Sequence, residues 1–436
     1  MENLKGKRLL LLGGDFWTEE LAQYAKETGV KLIATAKKAP SKLFEIAEES
    51  YTVDPTDAEG MKKLIREAKI DAVHPGSAEP VIGAASAYLR ELGLPCYATP
   101  EQCAVLHEKI AFKELCDSVG LPVVKRIDVD ESDLAKTAAQ IKYPVIAKPV
   151  DASGSAGCCV CRNAEEFLSG YDEARQASFT GKVIVESFVD NRSVYLYYTF
   201  SGGTPYFTGV TRKYTVKYPQ GNYVLSLRLG ESPFIADIRA RFEEKLFAMF
   251  KKIDLREGVL WLEIFHDGKG TYYFNEAGYR YNSSVSIYMT DFFYGINQLY
   301  TGLYFELTGK SQIDGHKSLI PATFPRKKHF AMYPIHLKAG TIAEVQGIDA
   351  LKAARANVLT VCVGRPIGLK IEDTGTFKHV FAVVQFVFDT KEEFLATLDD
   401  VHKFIKVKDT HGNDMVNRIF DADKETADFF DAYAAQ

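Results

Sequence analysis

Residues 259–284 read VLWLEIFHDGKGTYYFNEAGYRYNSS. Two runs of apolar, β-branched and aromatic residues flank HDGKG, a turn-forming segment, so the pattern predicts a β-hairpin. Each arm carries a carboxylate, Glu263 and Glu276, thirteen residues apart. Closing the hairpin brings the pair together, which suggests a site for a hard divalent cation. Gly278, Arg280 and Asn282 follow the second acid at once, so a planar cation stands beside that pair.

Upstream of the hairpin, RLLLL (8–12), KLIATA, ESYTVD and DAVHPG read as strands, and TEELAQYAKETG and EGMKKLIREAK between them read as helices. This alternation predicts a doubly wound parallel α/β domain over residues 1–100. Its GlyGlyAsp at 13–15 lacks the G-x-G-x-x-G spacing of a dinucleotide site. From residue 101 to 320 the pattern changes to α+β. A helix at HEKIAFKELC is followed by antiparallel segments such as YPVIAKPV, GCCVC, KVIVESFV, VYLYYTF and TPYFTGVTRKYTV. After Pro321 a further α+β unit, 321–436, reads as a separate cap.

The 436 residues are enough for several cores, and 46% hydrophobic with 25% charged residues marks a globular chain. A net charge of −5 with scattered lysines leaves no basic footprint for nucleic acid or an anionic membrane. No run approaches the roughly 18 apolar residues that cross a bilayer, and the short run before Gly13 reads as a buried strand rather than a leader. The expected location is therefore cytoplasmic, and the expected partners are small molecules. There the seven cysteines, Cys158, Cys159 and Cys161 among them, are expected as reduced thiols.

Two more stretches carry chemistry. YPVIAKPVDASGSAG (143–157) delivers Lys148 on a strand and then a loop of small residues, whose N–H groups can approach phosphate oxygens. The spacing is not that of a P-loop, and a plain surface turn is an equal alternative. KVIVESFV (182–189) is either a buried strand with one exposed charge, Glu186, or a connection whose backbone pairs with a purine edge.

Taken in order, Lys109 at a helix start, Lys148, the glycine loop, Glu186 and the paired acids resemble the ATP-grasp superfamily over residues 5–310. The resemblance implies an N-terminal α/β domain followed by two α+β subdomains, about 120–190 and 191–320, that clamp ATP. It implies phosphate contacts from Lys109 and Lys148, closure of Ser153, Gly154, Ser155 and Gly157 over the phosphates, and adenine held along Glu186, Ser187, Phe188 and Val189. Glu263 and Glu276 would ligate Mg2+, or Mn2+ in its place, with Arg280 and Asn282 binding the substrate carboxylate or the acyl phosphate formed from it.

LKAGTIAEVQGIDALK and VGRPIGLKI resemble the extra domain of L-amino-acid ligases. The activity so implied is carboxylate–amine ligation, with a carboxylic acid and an amine as substrates and a homodimer as the family expectation. An ATP-dependent carboxylase working through carboxyphosphate and a nucleotide-binding protein without turnover are the alternatives. Three features depart from the pattern. Gly278 stands where many relatives, biotin carboxylase among them, carry a metal-binding Asn, a place that Asn275 or water would then fill or that leaves metal binding weaker. Ser193 stands where many carry a ribose-binding Glu, and the glycine loop is diluted with Ser and Ala.

Overall fold

Arg8–Leu11, Lys31–Thr35, Glu49–Tyr51 and Ala72–His74 form the N-terminal sheet, all in parallel. Spatially the first strand lies between the second and fourth. Both faces are covered: Leu9 and Leu11 join one apolar cluster and Leu10 another. That is why LLLL shows no alternation, as parallel strands buried on both sides do. The structure is a computed structural model, and it describes residues 3–13, 17–38, 41–151, 157–189, 192–221, 223–230, 234–267, 270–282 and 286–434.

Next comes a small antiparallel sheet in the spatial order Arg126–Ile127, Val183–Ser187, Val145–Pro149, Cys159–Cys161. Helices Leu134–Gln140 and Ala164–Ala177 cover it, burying Val145, Ala147, Phe167 and Val185 in one core.

The largest sheet runs Tyr272–Gly278, Gly258–His266, Arg192–Ser201, Thr204–Lys217, Tyr223–Gly230, His329–His336, Val380–Phe388, Val358–Val363. Alternate residues of Arg192–Ser201 show how it is buried. Val194, Leu196, Tyr198 and Phe200 pack with Phe242, Leu246, Met249 and Phe250 of helix Ile235–Lys252. Tyr195 and Tyr197 point the other way, into a cluster with Trp17, Tyr288 and Phe292. That second face looks toward the N-terminal sheet, and the site is built on it.

The mixed architecture is the one expected, a parallel N-terminal unit followed by antiparallel α+β parts. One expectation needs correction. The C-terminal segment is not a separate cap, because Phe330, Ala331 and Met332 pair with Gly230, Leu229 and Arg228. Strands 329–336, 380–388 and 358–363 thus prolong the central sheet. Only Lys370–Ile371, Gly340–Gln346 and Lys406–Asp409 form a sheet of their own there.

Candidate active site

The hairpin forms as the sequence predicts, and Glu263 and Glu276 are direct cross-strand partners. Residues so paired project from the same face. Just beyond them the register slips by one, since Ile264 pairs with Phe274, so Asn275 is an extra residue on its strand. Such a bulge re-aims a side chain. Asn275 Nδ2 donates to Glu263 Oε2 at 2.9 Å, and its Oδ1 accepts from Lys148 Nζ at 3.3 Å. The bulge thereby links the hairpin to the small subdomain.

Glu263 is buried and fully engaged. Its Oε1 accepts from Tyr195 Oη at 2.9 Å and from Lys213 Nζ at 3.0 Å. Burial pushes its carboxyl up, but Lys213, with Asn275 and Tyr195, outweighs that and holds it at about 2. Glu276 is half-buried, and burial together with the Glu263 charge holds it above its ordinary value, against the pull of Lys109, Lys213 and Lys148. One acid is thus fixed as an anion while its neighbour resists ionisation, the signature of two close carboxylates awaiting more positive charge.

Two hard oxygen donors on adjacent strands suit Mg2+, which commonly takes one or two carboxylates and completes its shell with phosphate and water oxygens. Among the described residues no third His, Cys, Asp or Glu joins them. The pair therefore fits an ion shared with a phosphate ligand, and not a closed protein cage. Nor is a third ligand accommodated at position 278. Trp261 is the cross-strand partner of Gly278, and a Cβ built there would lie 2.1 Å from the indole. The indole occupies the space that an Asn side chain would need.

Lys148, on strand Val145–Pro149, is buried, with Nζ 2.8 Å from Glu186 Oε2. Lys113, from helix Lys109–Asp117, closes on Glu186 Oε1. Burial, aided by the Lys148 charge, lowers the Lys113 ammonium to about 8 despite Glu186. Burial opposes ionisation of Glu186 too, yet the two lysines prevail and hold its carboxyl down. The bland reading of Glu186 as an exposed charge is thus corrected, for its side chain is 1% exposed and neutralises two ammonium groups. The reading of Ser187 and Phe188 as adenine-holding backbone is narrowed as well. Their N–H groups already donate to Lys125 O and Pro144 O, both at 3.0 Å, so those two N–H groups are taken.

Lys109 begins its helix and reaches Pro149 O at 3.4 Å. Ser153, Gly154 and Ser155 lie outside the described residues. Gly157 has φ +68°, and a Cβ there would fall 2.4 Å from that of Ala177, so the loop's last glycine is obligatory on both counts. Val189 follows strand Val183–Ser187, and Asn282 is buried just past the hairpin.

Arg280 turns toward the N-terminal domain. Its Nε donates to Glu79 Oε1 at 2.8 Å, its Nη1 to Tyr281 O at 3.1 Å, and its guanidinium lies 5.0 Å from the Trp261 ring. Glu79 opens helix Glu79–Leu92, so this pair ties the hairpin to the first domain.

Sequence reasoning missed Lys113, Glu79, Tyr195 and Arg228, and left Lys213 undecided between phosphate and solvent. Lys113 stands four residues after Lys109, one helical turn on, which is the only local signal that could have found it. Five cations (Lys109, Lys113, Lys148, Lys213 and Arg228) surround three carboxylates (Glu186, Glu263 and Glu276). The cluster therefore carries more positive than negative groups.

The fold is the ATP-grasp fold that the sequence resemblance implied, and solved structures of that fold superpose on the chain. Residues 108–195 match the family model described as the carbamoyl-phosphate synthase L chain, ATP binding domain. Across 189 residues the chain is 26% identical to the formate-dependent phosphoribosylglycinamide formyltransferase of Pasteurella multocida, covering 42% of this chain and 48% of that one. The chain thus spans about half the length of the curated relatives it matches.

Among solved structures, the biotin carboxylase domain of Hydrogenobacter thermophilus 2-oxoglutarate carboxylase, with MgADP, ADP and bicarbonate, superposes with a TM-score of 0.74 at 18% identity, covering 92% of this chain and 90% of that one. The L-amino acid ligase of Bacillus licheniformis gives 0.70 at 16% identity, covering 94% and 100%.

Proposed function

We propose that this chain is an ATP-dependent ligase that activates a carboxylic acid as its acyl phosphate and joins it to an amine. The observation that carries this reading is the carboxylate pair Glu263–Glu276, set in register on two paired strands amid cations in excess. A carboxylate is a poor electrophile, and phosphoryl transfer converts one of its oxygens into a leaving group. A carboxylate oxygen attacks the γ-phosphorus and ADP departs. The amine nitrogen then forms the C–N bond as the C–O bond to phosphate breaks.

In such a transfer the protein's work is positioning and charge stabilisation. Lys148, anchored by Glu186 and Asn275, presents a fixed ammonium to the phosphates, and Lys109 adds a second from its helix start. Glu263 and Glu276 would hold Mg2+, which supplies charge neutralisation on the phosphates when bound. Lys213 and Tyr195 keep Glu263 ionised and oriented for that task. The backbone from Glu186 to Val189 faces the adenine, and Arg280 with Asn282 receives the acid.

Residues 101–320 form the catalytic unit in this reading, with 1–100 as a flanking domain and 321–436 prolonging the unit's central sheet. The curated relative depends on formate and formylates phosphoribosylglycinamide, by its name a carboxylate and amine pair of this kind. No helix among the described residues is long and apolar enough to cross a membrane. We place the enzyme in the cytoplasm and, by analogy with the dimeric biotin carboxylase domain, as a homodimer.

The test is a screen of acid and amine pairs for phosphate release with MgATP, followed by mass spectrometry of the product. Release that requires an acid and an amine together supports ligation. Release that requires bicarbonate and ignores amines would make the chain a carboxylase, and nucleotide binding with no release under any pairing would make it a non-catalytic ATP binder.

A further inference from the structure

Strand Tyr223–Gly230 lies in the interior of the large sheet, and its Arg228 pairs across the strands with Lys213 on one side and Met332 on the other. Arg228 therefore shares a face with Lys213, whose ammonium rests on Glu263. The side chain is 5% exposed, and its Cζ lies 3.7 Å from the ring centroid of Tyr195, the residue whose hydroxyl bonds Glu263. Stacking on an aromatic face fixes the guanidinium plane and leaves its N–H groups directed outward along the edges.

Two of its three nitrogens are not satisfied within the protein. Both Nε and Nη1 of Arg228 are buried without a hydrogen-bond partner. An orphaned buried donor costs the full desolvation of the group, more for a charged one, so its persistence calls for an explanation. Glu263, the acid bonded by Tyr195, is already engaged: its Oε1 serves Lys213 and Tyr195, and its Oε2 accepts from Asn275. The other two arginines near the site are committed elsewhere, Arg212 to Asp428 of helix Ala427–Ala434 and Arg280 to Glu79 and Tyr281 O. Of the three, Arg228 alone combines near-complete burial on the Glu263 face with no carboxylate ion-pair partner among the described residues.

We propose that Arg228 is an anion receptor of this site, binding the carboxylate of the acid substrate and then the acyl phosphate made from it, beside Lys213. This rests on the ligase reading and deepens it. Arg280, held by Glu79 of the first domain, would then meet the acid alongside Arg228 while coupling that domain to the hairpin.

2-Oxopropylphosphonate, which carries CH2 in place of the bridging oxygen of acetyl phosphate and so cannot transfer its acyl group, is titrated calorimetrically into MgADP-saturated wild type, Arg228→Met and Arg228→Lys, with MgADP affinity and unliganded melting temperature measured for each. The expected result is a loss of about tenfold or more in phosphonate affinity for Arg228→Met, the worth of a charged hydrogen bond. Arg228→Lys should recover part of it, and MgADP affinity should stay unchanged. The unliganded Arg228→Met protein should melt no lower than wild type, because an uncompensated buried charge has been replaced by an apolar chain of similar length.

Three outcomes overturn the assignment: phosphonate affinity unchanged in Arg228→Met, no phosphonate binding by MgADP-loaded wild type, or an Arg228→Met protein that melts several degrees lower or fails to fold. The last would make Arg228 a structural residue. Failure of wild type to bind MgADP at all is a separate result that sinks the ligase reading, and this assignment with it.

Discussion

Replacing Glu186 by Gln should destabilise the small subdomain by about 3–5 kcal/mol, the range for breaking a buried ion pair by removing one partner. The structure supplies the reason. The Glu186 side chain is 1% exposed and those of Lys113 and Lys148 are 8% each, so neither ammonium can turn to water when the shared counter-charge is lost. Glutamine keeps the shape, yet only its carbonyl oxygen can accept, and its NH2 is left facing the second ammonium.

Adding Lys113→Met removes one of the stranded charges. The double variant should therefore lose less than the sum of the singles, with a coupling of about 1–3 kcal/mol. Native-state hydrogen exchange on strands Val145–Pro149 and Val183–Ser187 reads this locally, without requiring the whole chain to unfold in one step. A loss below about 1 kcal/mol in Glu186→Gln, or singles that add to within about 0.5 kcal/mol, would refute the claim that one carboxylate holds two buried lysines.

Gly278→Ala should shift the Trp261 indole, since the new Cβ would meet it at 2.1 Å, and should cost about 1–3 kcal/mol as overpacking does. Because Arg280 lies against the same indole, intrinsic tryptophan fluorescence and the melting temperature should change together, and if neither moves, the steric account of Gly278 is wrong. Glu276→Ala should abolish Mg2+-dependent ATP turnover with circular dichroism unchanged; wild-type turnover in that variant would remove Glu276 from the metal site.

The acid limb of stability should follow Glu263. Its folded value of about 2 lies below the ordinary 4.5, so between the two the unfolded chain binds a proton that the folded chain does not. The stabilisation is complete above pH 4.5 and falls by about 3 kcal/mol as pH drops through that window toward 2. Glu276, held above its ordinary value, acts in the range above 4.5, where stability rises as pH falls toward 4.5, so Glu276→Gln should remove that rise while Glu263→Gln flattens the loss below 4.5, and the pH range measured spans both windows. Urea midpoints measured across that range check both signs, and parallel curves for the two variants would contradict the assignment.

Much of this was legible in the linear chain because it depends on local pattern. Alternating strands and helices marked the N-terminal sheet, and the turn HDGKG between two apolar arms marked the hairpin that pairs Glu263 with Glu276. Strand Tyr223–Gly230 escaped that reading, because YVLSLRLG is buried along nearly its whole length and carries a charge in its middle. The continuity of the C-terminal strands with the central sheet escaped it too, since the partners Arg228 and Met332 lie far apart in sequence.

The sequence by itself determined which groups could take part: two acids on one hairpin, a strand lysine before a glycine loop, and an arginine beyond. These follow from residue type and short spacing, and the strand period then puts paired residues on a common face. Tertiary structure alone decided what each group does. The Asn275 bulge ties Glu263 to Lys148, Lys113 crosses from a helix to share Glu186, and Trp261 closes the space beside Gly278. Such contacts set burial and charge balance, and those depend on which distant segments meet when the core excludes water.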